Sequence, residues 1–238
     1  MEGLFLNKTK VFFLPYAGGS SSVYLSWKRY LSSNIELVAI ELAGRGRRMK
    51  EPLYSDVNEA VEDIYSKISQ DIETSRYALF GHSMGTVLAY ELTRKIKENN
   101  GSLPCHIFFS GRCPPYVKSG NEDLYLLPDD EFIRKVFEYG GMKKETASNE
   151  DIMKVFLPVL RSDYKMIELY EHEGPIHVHN CNITILRGMH DPYAKYDKMI
   201  KWKECAGNDF NMYEFDDAHF FIHKYKEDIC KLINFTLG

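Results

Sequence analysis

Short, nearly continuous apolar runs recur along the chain at Val11–Leu14, Ile35–Leu42, Tyr77–Phe80, His106–Ser110, Asn182–Leu186 and Phe210–Phe215. Runs of that length without strict alternation suit strands covered on both faces. Between them, apolar residues return at helical spacing. Val57, Ala60, Val61, Ile64, Ile68 and Ile72 mark one face of a helix, and Asp56 with Glu59 has the form of its capping box. Tyr225, Ile229, Leu232 and Ile233 predict a closing amphipathic helix. Strand–helix alternation of this kind predicts an α/β fold, a mostly parallel sheet with helices on both faces.

The alternation stops between Gly111 and Pro175, where two helical patterns replace strands. The first carries Phe132, Ile133, Val136 and Phe137 behind Asp129 and Asp130, acids suited to a helix N-terminus, and stops at Gly140-Gly141. The second runs from about Asp151 to Tyr170 and contains Pro158, which is expected to kink or split it. The chain thus reads as one domain, 1–238, with a helical insertion at about 112–175. That insertion is either a lid over a site or an extra helical layer.

Composition narrows the classes. The chain has 238 residues, 44% hydrophobic and 27% charged, with net charge −4. This is a globular balance, and its sign is opposite to that of a phosphate-binding surface, so nucleic acid is not an expected partner. No apolar stretch is long enough to span a membrane, and the N-terminus lacks the basic n-region of a signal peptide. Five scattered cysteines without a C-x-x-C pair suit free thiols in a reducing compartment, so the cytoplasm is expected.

The strongest chemical signal is Gly81-His82-Ser83-Met84-Gly85, a G-x-S-x-G between the strand Tyr77–Phe80 and a helical run Thr86–Ile96. That strand–turn–helix setting is the one a nucleophile elbow needs. It presents the Ser83 hydroxyl at the end of the sheet and turns the Met84 amide, at a helix start, toward an oxyanion. A serine needs a base and the base an orienting acid, in the chain order Ser, acid, His. Asp191 follows the strand Asn182–Leu186, and His219 follows Phe210–Phe215. Both fall on loops after strands, where open α/β sheets bind ligands. His190 and His223 compete for the base, with His223 expected in the closing helix. Asp216 and Asp217 compete for the acid but sit too near His219 in sequence. The glycine-rich loop Phe13–Ser20 should supply a second oxyanion donor, assigned by position to the Ala17 amide, with Tyr16 beside it as a substrate-facing candidate. That loop has neither nucleotide-binding glycine signature.

Other features have plainer readings. His172, His177 and His179 hint at metal, yet no carboxylate or thiol ligand stands at matching spacing, and no metal site is expected. Arg45, Arg47 and Arg48 form a basic cluster that is either solvated surface or a contact for an acidic partner. Cys113 reads as a small buried apolar residue.

Taken together, several segments go beyond a generic hydrolase. They are Phe13-Leu14-Pro15-Tyr16-Ala17-Gly18-Gly19, Gly44-Arg45-Gly46 with Arg48, Gly81–Gly85, Ser110-Gly111-Arg112 with Pro114-Pro115, and Leu127-Pro128-Asp129-Asp130-Glu131-Phe132. Leu160-Arg161-Ser162-Asp163-Tyr164, Gly188 with Asp191, and His219-Phe220-Phe221 continue the pattern to the C-terminus. In these the sequence resembles the type II thioesterases, stand-alone editing enzymes of non-ribosomal peptide and polyketide synthesis. Ala43 and Ala218 depart from the family's usual proline and glycine. The resemblance implies an α/β-hydrolase fold with a helical lid, and Ser83, Asp191 and His219 as nucleophile, acid and base. The implied substrate is an acyl thioester on the 4'-phosphopantetheine arm of an acyl or peptidyl carrier protein, and the enzyme needs no cofactor of its own. Phe132, Phe137 and Phe156 are then candidate walls for the acyl group, or else ordinary core. A monomer is expected, and Met1 close to the first strand suggests a free-standing enzyme rather than a domain of a synthase. The alternatives are a small-molecule carboxylesterase of the same fold and a binding protein without turnover, the latter disfavoured because the whole triad is present.

Overall fold

Six strands are hydrogen-bonded in the order β2-β1-β3-β4-β5-β6, every neighbouring pair parallel. They are β1 (Thr9–Leu14), β2 (Ile35–Ala39), β3 (Tyr77–His82), β4 (His106–Ser110), β5 (Asn182–Gly188) and β6 (Phe210–Phe215). This computed structural model describes residues 8–117, 123–141 and 149–238. The N-terminal residues 1–7, where no signal peptide is expected, and parts of the 112–175 segment lie outside the described residues.

The six apolar runs are the six strands. β3 and β4 are buried at every position, as central strands covered on both faces must be. Successive side chains alternate between two cores. Phe12, Leu14, Leu79, Ile107 and Phe109 pack under α1 (Val57–Thr74) and α2 (Met84–Glu98). Val11, Phe13, Phe80 and Phe108 pack against Tyr24, Trp27 and helix α5 (Lys226–Leu237) on the opposite face. Asp56 caps α1 by accepting from the Glu59 amide, but the Glu59 carboxylate reaches Ser55 rather than the cap itself. β2 ends at Ala39 instead of Leu42, because beyond Ile40 the chain dives into the core, where the Tyr54 hydroxyl meets the Ala43 amide.

The chain steps outward from β1 to β2 and then returns to β3 on the other side of β1. Strand order therefore reverses at the carboxyl ends of β1 and β3. A crevice opens at such a point because the connections leave in opposite directions.

Between β4 and β5 the described residues hold α3 (Asp129–Glu138) and α4 (Glu150–Glu168), with a small core of their own made of Leu124, Phe132, Val136, Met153 and Leu160. Asn149 caps α4 by accepting from the Ile152 amide. Pro158 does not split this helix, which continues unbroken on both sides of it.

Candidate active site

β3 ends at His82 and α2 begins at Met84, so Ser83 alone makes the turn. Its φ of 55° and ψ of −113° are strained for a residue with a side chain. The surrounding contacts hold that strain. A Cβ on Gly81 would lie 2.1 Å from the Gly85 carbonyl oxygen, and one on Gly85 would lie 2.2 Å from that of Leu14. Glycine at both positions lets the elbow close on itself and press backbone to backbone against the end of β1. The Ser83 amide donates to Ser110 O at 2.8 Å, and the Thr86 hydroxyl bridges the Gly81 and Ser110 carbonyls.

Asp191 and His219 come to this elbow from the loops after β5 and β6. His219 Nε2 lies 3.0 Å from Ser83 Oγ, and Nδ1 lies 2.6 Å from Asp191 Oδ2. The tautomer that lets the serine donate to Nε2 carries its own proton on Nδ1, which donates to the carboxylate. Asp191 is buried, and its other oxygen accepts from the Tyr193 amide at 2.9 Å, which fixes its orientation. The competing acids and bases are occupied elsewhere. His190 meets Asp216 at 2.8 Å on the exposed surface, and His223 lies 3.3 Å from the Tyr16 hydroxyl in the short helical turn Phe221–Lys224.

His82, the variable position of the motif, is fully buried with Nδ1 2.8 Å from the Ser110 hydroxyl. Burial, with the neighbouring His219, holds it well below the usual histidine range, so it stays neutral beside the relay.

Ala17 and Met84 face one cavity together with Ser83 and His219. Neither the Ala17 nor the Met84 amide is donated to a protein acceptor among the described residues. The two amides that follow Ala17 are committed: Gly18 N–H to Asp163 Oδ2 at 2.7 Å and Gly19 N–H to Tyr16 O at 2.8 Å. Two free amides beside a hydroxyl, an imidazole and a carboxylate make a constellation suited to acyl transfer.

The thioesterase-domain family model matches residues 9–236. The chain belongs to the thioesterase family. It is 32% identical over 232 residues, 95% of this chain and 87% of the relative, to a Brevibacillus parabrevis protein named linear gramicidin dehydrogenase LgrE. It is 30% identical to the gramicidin S biosynthesis protein GrsT of Aneurinibacillus migulanus, over 97% of this chain and 91% of that one. Among solved structures it is similar to ClbQ from the colibactin NRPS/PKS pathway, with a TM-score of 0.91, 32% identity and 96% of both chains covered. The parallel sheet and its helices are the α/β-hydrolase fold of these thioesterases.

In this thioesterase the cavity is walled by Met84, Leu124, Val136, Ile167 and Phe220, together with Tyr16, Tyr139, Tyr164 and Tyr193. The three phenylalanines singled out from sequence as candidate walls are not among its described lining residues. Phe132 is turned inward to the small core, with the Arg161 guanidinium 4.4 Å from its ring centroid. Phe137 is 44% exposed. Phe156 packs on the far side of Gly18 and lines a separate surface cleft with Ile152 and Val155. Val136, one position from Phe137 and four from Phe132, lines the cavity instead.

Arg112 and Glu168 are cavity residues that sequence reasoning missed. Arg112 lies two residues beyond β4, and its place after a strand end was the available signal. No acceptor among the described residues bonds its guanidinium, whose burial lowers its affinity for the proton. The Glu168 carboxylate accepts the Leu124 and Tyr125 amides.

The basic cluster is largely internal. Arg45 is buried against Asp163, and Arg48 pairs with Asp63 and Glu51, leaving Arg47 exposed. His177 and His179 stack edge to face 4.6 Å apart beside Tyr90, and burial pushes His177 down to about 4 and His179 well below its usual range. Among the described residues no group of three or more His, Cys, Asp or Glu is placed to hold a metal ion. No helix there is long and apolar enough to cross a membrane. All five cysteines are free, and burial raises the Cys113 thiol.

Proposed function

We propose that this thioesterase is a stand-alone type II enzyme that hydrolyses misloaded or stalled acyl groups from the phosphopantetheine thiol of carrier proteins in non-ribosomal peptide or polyketide synthesis. The observation that carries the chemistry is the Ser83–His219–Asp191 relay, 3.0 and 2.6 Å long, opening into an apolar and tyrosine-lined cavity. The carrier substrate rests on the pathways that the relatives' names describe. On this reading residues 1–238 are one domain, and the helical segment at about 112–175 covers the site as a lid. The five free thiols favour a reducing cytoplasm. We expect a monomer that meets its carrier partner transiently.

The mechanism follows from the geometry. Ser83 Oγ attacks the thioester carbonyl as its proton passes to His219 Nε2, and Asp191 stabilises the imidazolium that forms. The carbonyl oxygen, now an anion, takes hydrogen bonds from the Met84 and Ala17 amides. Collapse breaks the carbon–sulfur bond, and the imidazolium protonates the leaving pantetheine thiol. Water then loses a proton to the same nitrogen and attacks the acyl-serine. A second collapse frees the acid and returns the proton to Ser83. Every step moves protons and an acyl group only, so no redox cofactor enters, and the pantetheine arrives with the substrate. The dehydrogenase name of one relative finds no counterpart in the loop after β1, which has no dinucleotide-binding glycine signature.

The test is a pair of kcat/KM values, on acetyl-phosphopantetheinyl carrier protein and on p-nitrophenyl butyrate, with Ser83→Ala as control. A large preference for the carrier substrate is expected, because the carrier and its arm contribute binding in the transition state. Equal or better turnover of the free ester would instead mark a small-molecule carboxylesterase.

A further inference from the structure

Arg45, in the loop after β2, and Asp163, inside α4, stand 118 residues apart in sequence. Their side chains form a two-pronged pair, Nη1 to Oδ2 at 2.6 Å and Nη2 to Oδ1 at 2.8 Å, with only 6% and 3% of the side chains exposed. A buried ion pair costs so much desolvation that apolar residues of similar size are often as stable, so stability alone is a weak reason for one. This pair also grips the loop that carries Ala17. Asp163 Oδ2 accepts the Gly18 amide at 2.7 Å, while Arg45 Nη1 donates to the Gly19 carbonyl at 3.1 Å. Gly19 N–H closes the turn onto Tyr16 O. Gly18 has φ +75°, and a Cβ there would lie 2.7 Å from Leu160 Cδ1 and 2.9 Å from Phe156, so α4 rests directly on the turn.

We propose that Arg45 and Asp163 are positioning residues of the oxyanion hole, which make its geometry depend on α4 being seated. This rests on the acyl-transfer reading of Ser83. The pair takes up the peptide groups on the C-terminal side of Ala17, which fixes the turn with the Ala17 N–H undonated on the cavity side, where an oxyanion would form. Charge-assisted bonds hold it there before substrate arrives, and a donor stabilises developing charge only if it is already aimed. The two charges also suit the task as a pair. Asp163 alone would place a carboxylate behind an amide meant to receive an anion, and the Arg45 fork cancels it. The turn and α4 are thereby one unit, so displacing α4 would loosen the hole.

The experiment compares wild type, Asp163→Asn and the double variant Arg45→Met, Asp163→Leu. It measures kcat and KM on acetyl-N-acetylcysteamine thioester, and Ki for a boronic acid that forms a tetrahedral anion on Ser83. The double variant removes both charges together, so no unpaired ion is left buried. Its kcat is expected to fall about 100-fold, the cost of one oxyanion donor, with KM nearly unchanged and the boronate weakened by a similar factor. Asp163→Asn keeps one acceptor for Gly18 but sets its amide hydrogens against the arginine, and should lose about tenfold in both readouts. A purely structural strap would lower the melting temperature without moving Ki. Wild-type kcat and Ki in a folded Asp163→Asn protein overturn the proposal, whether or not the double variant folds. The small thioester keeps this result separate from the carrier question, and full activity in Ser83→Ala would refute the acyl-transfer reading itself.

Discussion

His82 and His219 place their ring centroids 5.2 Å apart, yet they have opposite duties. His219 bonds both Ser83 and Asp191, whereas His82 turns its Nδ1 to Ser110 and is held neutral by burial. A neutral neighbour matters because His219 must become a cation in the transition state, and a second charge that close would oppose it. His82 thus fills the space beside the relay without contesting its proton.

The relay makes the first prediction. Ser83→Ala and His219→Ala should each lower kcat on the order of 10^4-fold or more while leaving the circular dichroism spectrum unchanged, since the triad acts as a unit. His223→Ala should stay near wild type, because His223 meets Tyr16 and not Ser83. The reverse pattern between the two histidines would move the base to the Phe221–Lys224 turn.

Asp191→Asn tests the tautomer argument separately. The buried carboxylate accepts from His219 Nδ1–H, and an amide in its place turns a donor toward the ring. The ring then prefers the proton on Nε2, where it cannot accept from Ser83, and kcat should fall about 10^3- to 10^4-fold with KM little changed. A loss under tenfold would mean that the carboxylate does not set the tautomer.

Acid should destabilise this fold before any carboxylate is involved. Burial pushes His106 and His177 down to about 4, and His82 and His179 well below their usual range. In the unfolded chain such groups titrate near 6.5, so below that pH the unfolded state binds protons that the folded state refuses. Stability is fully present above about pH 6.5 and is lost as pH falls toward the folded values. For His106, buried with Nε2 2.8 Å from the Thr184 hydroxyl, the shift corresponds to about 3 kcal/mol. Urea midpoints at pH 7.5, 6 and 4.5 should therefore drop steadily, and His106→Gln should flatten part of the decline. A midpoint constant across that range would show that these histidines already ionise in the folded state.

The fold and the triad were legible in sequence because each depends on local pattern. A buried parallel strand writes itself as a continuous apolar run, and the loop after it is where Ser83, Asp191 and His219 had to stand. Contacts between distant segments were not legible in this way. Arg45 and Asp163 are 118 residues apart, so the arginine resembled a surface charge until α4 was placed over it. The cavity wall was obscured for a geometric reason. Phe132, Val136 and Phe137 share one apolar stripe, but a single step along a helix turns a side chain by about 100°. Val136 therefore faces the cavity while Phe137 is exposed. The Tyr54 contact that pulls the chain after Ile40 out of the sheet was likewise invisible in the run Ile35–Leu42.

Arg112 supplies the last prediction. Arg112 lines the cavity two residues beyond β4, its guanidinium has no hydrogen-bond acceptor among the described residues, and desolvation disfavours its charge more than the nearby Glu168 carboxylate favours it. A charge kept in such a place lowers stability unless a ligand satisfies it. Arg112→Met keeps similar length and removes the charge, so its melting temperature should equal or exceed that of wild type. The same change should cost activity selectively. Acyl groups with a carboxylate or carbonyl beyond the thioester, such as succinyl, offer the guanidinium an acceptor, whereas acetyl has none beyond its thioester carbonyl. The ratio of kcat/KM for succinyl over acetyl pantetheine thioester should therefore fall about tenfold or more, the scale of one charge-assisted hydrogen bond. An equal loss on both substrates would place the Arg112 contact on the pantetheine arm, which the two share. No loss on either, with a raised melting temperature, would leave Arg112 as a destabilising residue without a part in catalysis.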